Sequence, residues 1–184
     1  RFMGVERIKA FITGILLLAA VPASRSWAQV VMLHPHEIIA NSADTLHAKK
    51  VFLAGTIDMG NSSDWQSQVA ERFEAVGGKW LLFNPRQKHW DASKTGEIDY
   101  QVNWELEHLE ASDLIIMNIL ETSKSPISLL EMGLFARSGK MYVVCPRGFY
   151  RYDNVRITCK HYGIALYDTL DQLFVEETTL QKRP

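Results

Sequence analysis

The chain has 184 residues, 47% of them hydrophobic and 22% charged, with a formal net charge of −1. That length suits one domain with an appendage, and the apolar fraction is ample for a packed core. The near-neutral balance, with no basic block, gives no support to nucleic-acid binding.

The N-terminus reads as an export signal. Arg7 and Lys9 supply positive charge, and the roughly 15 residues of 10–24 carry none. Ser26-Trp27-Ala28 then sets small residues at −3 and −1 before Gln29. The uncharged run is short of the about 18–20 residues that span a bilayer. A cleaved leader over 1–28 and a periplasmic or secreted protein are therefore expected, with an uncleaved membrane anchor as the alternative. Residues 29–49, which include His34-Pro35-His36, are weakly periodic and read as a linker or an irregular first layer.

From residue 50 to 184 the chain alternates apolar runs with helical patterns. Val51-Phe52-Leu53-Ala54-Gly55 is a buried strand. Ser62 or Ser63 caps a helix carrying Trp65, Val69, Phe73 and Val76, stopped by Gly77-Gly78. Trp80-Leu81-Leu82-Phe83 is the second strand, closed by Asn84-Pro85, with a polar loop over 86–96. A helix over 98–111 puts Val102, Leu106 and Leu109 on one face. The third strand is 114–120, the next helix 127–138 and the fourth strand 141–146. A short helix over 155–162, a strand over 164–167 and a closing helix over 170–180 complete the domain. Strands apolar throughout and separated by single helices imply a parallel sheet covered on both faces. The expected fold is α/β: a doubly wound, flavodoxin- or Rossmann-like sheet of about five strands.

Chemistry in such a sheet belongs beyond the carboxyl ends of the strands. Ser125-Pro126-Ile127-Ser128-Leu129-Leu130-Glu131 places a carboxylate one turn into an apolar helix, just past the most apolar strand. A charge there is costly unless it has partners or a task. The other loops at that end are Gly55-Thr56-Ile57-Asp58-Met59-Gly60-Asn61, Asn84-Pro85-Arg86 and Pro146-Arg147-Gly148-Phe149. The first is neither a P-loop nor a GxGxxG fingerprint. Of the five Trp, Trp65, Trp90 and Trp104 stand beside polar residues, a pattern of base stacking as much as of core filling. Cys145 and Cys159 lack the spacing of a metal site and are expected as free, packed thiols. No metal and no cofactor are expected.

In order along residues 50–165, five segments resemble the nucleoside 2-deoxyribosyltransferase-like family. They are Phe52-Leu53-Ala54-Gly55-Thr56-Ile57-Asp58 with Asp64-Trp65-Gln66; Asn84-Pro85-Arg86; Gln101-Val102-Asn103-Trp104-Glu105-Leu106 with Ala111-Ser112-Asp113; Ser125 through Gly133; and Val144-Cys145-Pro146-Arg147-Gly148-Phe149. The resemblance implies cleavage of the N-glycosidic bond of a 2′-deoxynucleoside and transfer of the sugar to a second nucleobase. It places the nucleophile at Glu131, which forms a glycosyl-enzyme intermediate. It places the group handling protons on the base at Glu105, where relatives often have Asp. Gly55, Asp58, Asn61, Asn84, Arg86, Trp104, Ser125 and Ser128 are the candidate substrate contacts. Ser125 stands where some relatives carry an Asp, and Ser125 or Ser128 at a helix N-terminus suits a hydroxyl or a phosphate. Asp113 opens its strand at the far end and reads as structural.

The expected partners are a small nucleoside or nucleotide and a nucleobase acceptor, and the resemblance favours a homo-oligomer. Two other readings stand beside transfer: hydrolysis of a deoxynucleoside or deoxynucleotide, and a non-catalytic nucleotide-binding module. A purely structural protein needs no pair of carboxylates at the strand ends, so Glu105 and Glu131 would lie far apart.

Overall fold

The computed structural model describes residues 28–87 and 89–176. Residues 1–27 of the leader expected over 1–28, and the C-terminal residues 177–184, lie outside the described residues.

Six parallel strands form one sheet in the order β1-β3-β2-β4-β5-β6. They are β1 (Gln29–Leu33), β2 (Lys49–Gly55), β3 (Lys79–Phe83), β4 (Leu114–Asn118), β5 (Met141–Val144) and β6 (Ala165–Tyr167). From β2 onward the order is that of flavodoxin-like sheets, so the doubly wound α/β fold expected from the apolar runs is the one observed. The count is one higher than five because Gln29–Leu33, at the start of the segment expected to be linker or irregular, pairs with β3 from Gln29↔Lys79 to Leu33↔Phe83. As an edge strand it is only half-buried.

The helices are α1 (Ser42–Thr45), α2 (Trp65–Val76), α3 (Glu97–Ala111), α4 (Pro126–Phe135), α5 (Tyr152–Tyr162) and α6 (Leu170–Glu176). On one face of the sheet Trp65, Val69 and Phe73 of α2 pack with Leu173 of α6. On the other, Trp104 and Leu109 of α3 join Met132 and Phe135 of α4 and Val155 and Cys159 of α5. β4 lies between the two layers, and Ile115, Ile116 and Met117 have no solvent exposure. Truncating Ile116 to Ala would cost about 2–5 kcal/mol in such a site.

Local chemistry sets the helix starts. The cap of α2 is Asp64, not Ser62 or Ser63, because its carboxylate accepts from the Ser67 amide at 3.2 Å and the Ser67 hydroxyl at 2.7 Å. Gly77 closes that helix with φ of 79°, as its place after the last apolar residue suggested. Asp113 is a strand pin: its Oδ2 accepts from the Lys50 amide at 2.8 Å, tying the start of β4 to β2. Cys145 and Cys159 are free and buried. No described helix is long and apolar enough to cross a membrane.

The inward face of α3 differs from the expected one. Leu109 is buried, but Val102 and Leu106 are 46% and 38% exposed, and the buried positions are Glu97, Gln101, Trp104 and Leu109. The indole of Trp104 decides the helix rotation by packing against Phe52 and Phe83. That rotation carries Gln101 inward, where its amide is hydrogen-bonded.

Candidate active site

The chain leaves β2 for β3 on one side and returns past β2 to β4 on the other, so the sheet switches direction between β2 and β4. Open sheets bind ligands at such a point, outside the carboxyl ends of the strands. Here Gly55 pairs in register with Asn118. A cavity of about 520 Å³ opens there, walled by the 55–60 loop, α3, the start of α4, and Pro85, Gln87, Trp90 and Ala92.

Six of the ten residues singled out from the sequence line it: Gly55, Asp58, Glu105, Ser125, Ser128 and Glu131. Glu131 and Ser128 project from one face of α4, three residues apart. Both are buried, Glu131 at 8% exposure. No described group hydrogen-bonds the Glu131 carboxylate, and burial first, then the nearby Glu105 charge, push its pKa up to about 8. Glu105 lies one helix away on α3. Burial raises its pKa as well, against a hydrogen bond from Gln101 Nε2 at 2.8 Å that favours its charged form. With burial and the Glu105 charge both opposing its ionisation, Glu131 keeps its proton at neutral pH.

Ser125 takes a left-handed conformation with φ of 45° at the N-cap of α4, where its side chain makes no capping hydrogen bond. Its hydroxyl belongs to a row that ends on a carboxylate. Thr56 Oγ1 and Ser125 Oγ are 2.6 Å apart, Ser125 Oγ donates to Ser123 Oγ at 3.0 Å, and Ser123 Oγ donates to Asp58 Oδ1 at 2.8 Å. Since the Asp58 carboxylate only accepts, it directs the hydroxyl protons toward itself. Asp58 and Met59 both have positive φ, 48° and 51°, which turns the rim of the cavity sharply at this point.

The other four singled-out residues lie elsewhere. Trp104 is in the core with Phe52 and Phe83. Asn84 is buried under the loop, where its Oδ1 accepts from the Arg86 amide at 3.0 Å and its Nδ2 donates to Met32 Sδ at 3.2 Å. Asn61 is exposed, with its amide on the Asp58 carbonyl at 3.0 Å. Arg86 faces the 60–66 segment: it donates to the carbonyls of Gly60, Ser62 and Ser63, to the Ser62 hydroxyl at 2.8 Å and to Gln66 Oε1 at 3.3 Å. It holds the loop that walls the cavity. Of the Trp residues considered for stacking, Trp90 lines the cavity. Trp65 is buried in the other layer with its indole N–H on the Thr56 carbonyl at 2.8 Å.

Apart from Trp90, the remaining lining residues carry no site signal in the sequence. Met59, Trp90, Ile98, Val102 and Ile127 form a broad apolar wall suited to a flat heterocycle, and Gln87 and Gln101 add amides. Gln101 was detectable in principle, because it precedes Glu105 by one helical turn on the same face. Among the described residues no cluster of three or more His, Cys, Asp or Glu is arranged to hold a metal.

No curated protein matches the chain. A solved structure of a conserved protein from Enterococcus faecalis V583 shares the fold, with a TM-score of 0.55 and 13% identity over 73% of this chain and 99% of that one. The family model for nucleoside 2-deoxyribosyltransferase-like proteins matches residues 48–149, a span that holds every cavity-lining residue described above. That match covers more than half of the chain, and the protein belongs to the nucleoside 2-deoxyribosyltransferase-like family.

Proposed function

We propose that the protein cleaves the N-glycosidic bond of 2′-deoxynucleosides and transfers the sugar to a second nucleobase through a covalent intermediate on Glu131. The observation that carries this reading is the pair of buried carboxylates, Glu105 and Glu131, lining one cavity, with the ionisation of Glu131 opposed by burial and by the Glu105 charge. The bond between C1′ and the base nitrogen breaks as a Glu131 oxygen bonds C1′. The proton that Glu131 holds passes by way of Glu105 to the departing base, leaving Glu131 ionised to attack. In the second half the acceptor base gives up its N–H proton to Glu105, attacks C1′ and frees Glu131. The apolar wall with Trp90 receives the base, and the Asp58–Ser123–Ser125 row faces the sugar hydroxyls. Water in place of the acceptor base gives hydrolysis at the same centre.

The test is a panel of deoxynucleosides, incubated with and without a second free base and followed by chromatography. A new nucleoside that disappears in Glu131→Gln supports transfer, and free base without exchange supports the hydrolase. Ligand binding with no turnover in either case would turn the reading toward a binding module.

Two further properties belong to the same proposal. The chain is exported by its 1–28 leader, which N-terminal sequencing of the mature protein tests. It also works as a homo-oligomer. Support comes from the outer faces of α3 and α4, where Ile98, Val102, Leu106, Ile127, Leu130 and Leu134 are between 38% and 59% exposed. Ile98, Val102 and Ile127 of that set also wall the cavity, so a second copy there would complete the mouth of the site.

A further inference from the structure

Behind Glu105 runs a line of hydrogen bonds that ends outside the segment matched by the family. Glu97 opens α3 with a side chain only 5% exposed. Its Oε1 accepts from His36 Nε2 at 2.7 Å and from Gln87 Nε2 at 2.9 Å, and Lys94 Nζ lies 3.1 Å from its Oε2. These partners, His36 first, hold its pKa down at about 2. His36 is itself fixed, with its ring stacked 4.0 Å from Tyr100 and its amide donating to the Tyr100 hydroxyl at 3.0 Å.

An ionised carboxylate only accepts, and that dictates the direction of everything beyond it. Gln87 must turn its NH₂ toward Glu97, and the same NH₂ donates to Gln101 Oε1 at 2.6 Å. With its oxygen taken, Gln101 turns its own NH₂ the other way, onto the Pro85 carbonyl at 2.8 Å and Glu105 Oε1 at 2.8 Å. Reversing either amide would set oxygen against oxygen at two contacts.

We propose that Glu97, held by His36, fixes the donor direction of the Gln87 and Gln101 amides and through them positions the Glu105 carboxyl, which makes His36 a positioning residue of the site. His36 lies ahead of the family-matched span of 48–149, in the loop after the added strand β1. The edge strand therefore serves the chemistry by delivering His36 to α3. The consequence for catalysis rests on the reading of Glu105 as the proton-handling group, whereas the positioning itself does not.

The experiment follows the Glu carboxyl carbons by NMR across pH in the ligand-free full chain, in wild type, His36→Ala, His36→Gln and Gln101→Leu. The groups facing Glu105 are Glu131 and Asp58, and those around Glu97 and His36 are Lys94, Asp91 and Tyr100, so each spectrum is read against their titrations. Gln101→Leu should raise the Glu105 midpoint by about one unit, tenfold in protonation constant, because the charged form loses its donor. His36→Ala should move it the same way by less, and His36→Gln, which keeps an N–H donor, should restore it. Where nucleoside cleavage is detected, kcat should fall roughly tenfold in Gln101→Leu with KM nearly unchanged, since a mispositioned acid loses part of its effect. Unchanged midpoints in both Gln101→Leu and His36→Ala would overturn the proposal. A shift confined to Gln101→Leu would overturn its reach to His36. His36 is exposed, so its variants fold even if the buried Gln101→Leu does not. Shifted midpoints in a protein inert toward every nucleoside would leave the positioning standing and sink the functional reading instead.

Discussion

Gly55 lies against the Asn118 backbone so closely that a β carbon on it would stand 2.1 Å from the Asn118 carbonyl oxygen. Its φ of 134° is also one that residues with side chains rarely adopt. The approach lets Thr56 donate its amide to the Asn118 carbonyl at 2.9 Å, which starts the hydroxyl row at the cavity floor. Gly55→Ala should therefore destabilise the fold by about 2 kcal/mol or more, through both overlap and backbone strain. Urea unfolding checks this, and a midpoint equal to that of wild type would contradict the geometry.

Stability should also report the buried Glu131. In the folded chain it keeps its proton up to about pH 8, whereas in the unfolded chain it loses it in the ordinary carboxylate range. A group raised in this way favours the fold fully below the unfolded value, and that contribution is lost as pH rises through about 8. Glu131→Gln stays neutral throughout. Its melting temperature should match wild type near pH 4 and exceed it by several degrees near pH 9. A difference that does not grow with pH would show that Glu131 is not desolvated as its 8% exposure implies.

The same electrostatics bear on substrate choice. Asp58, Glu105 and Glu131 line the cavity, and none of the described lining residues is Lys, Arg or His. A 5′-phosphate would enter a field of like charge. The free 5′-hydroxyl nucleoside should be turned over with a kcat/KM at least roughly tenfold above that of its 5′-monophosphate. Equal or better use of the monophosphate would reverse this reading and favour the deoxynucleotide hydrolase.

Much of this arrangement was legible in the residues themselves. Apolar runs such as Leu114-Ile115-Ile116-Met117 are hidden strands because only a sheet covered on both faces buries every side chain. Strand β1 is hidden in the sequence because an edge strand needs no such pattern. The buried face of α3 departs from the apolar pattern, which favours Val102 and Leu106, because the helix is rotated by Trp104 and tolerates a buried, hydrogen-bonded Gln101. At the site, Glu131 stands out as an acid amid apolar helix positions, and Glu105 is marked by the family resemblance. His36, Gln87 and Glu97 do not stand out, because only the fold brings positions 61 residues apart, such as His36 and Glu97, within 2.7 Å.

Arg86 offers the sharpest contrast between the two levels. Next to Asn84-Pro85 at a strand end it looked like a substrate contact, yet its guanidinium is spent on Ser62, Ser63, Gly60 and Gln66. A planar fork with five donors can serve that many acceptors at once, and a lysine cannot. Arg86→Lys should therefore loosen the 57–64 loop in the ligand-free protein, seen as faster amide exchange there, while the exchange of β4 stays unchanged. Because that loop carries Asp58 and Met59, KM should rise severalfold with kcat less affected. If exchange in the loop were unaltered while base preference changed, Arg86 would instead be reaching the substrate.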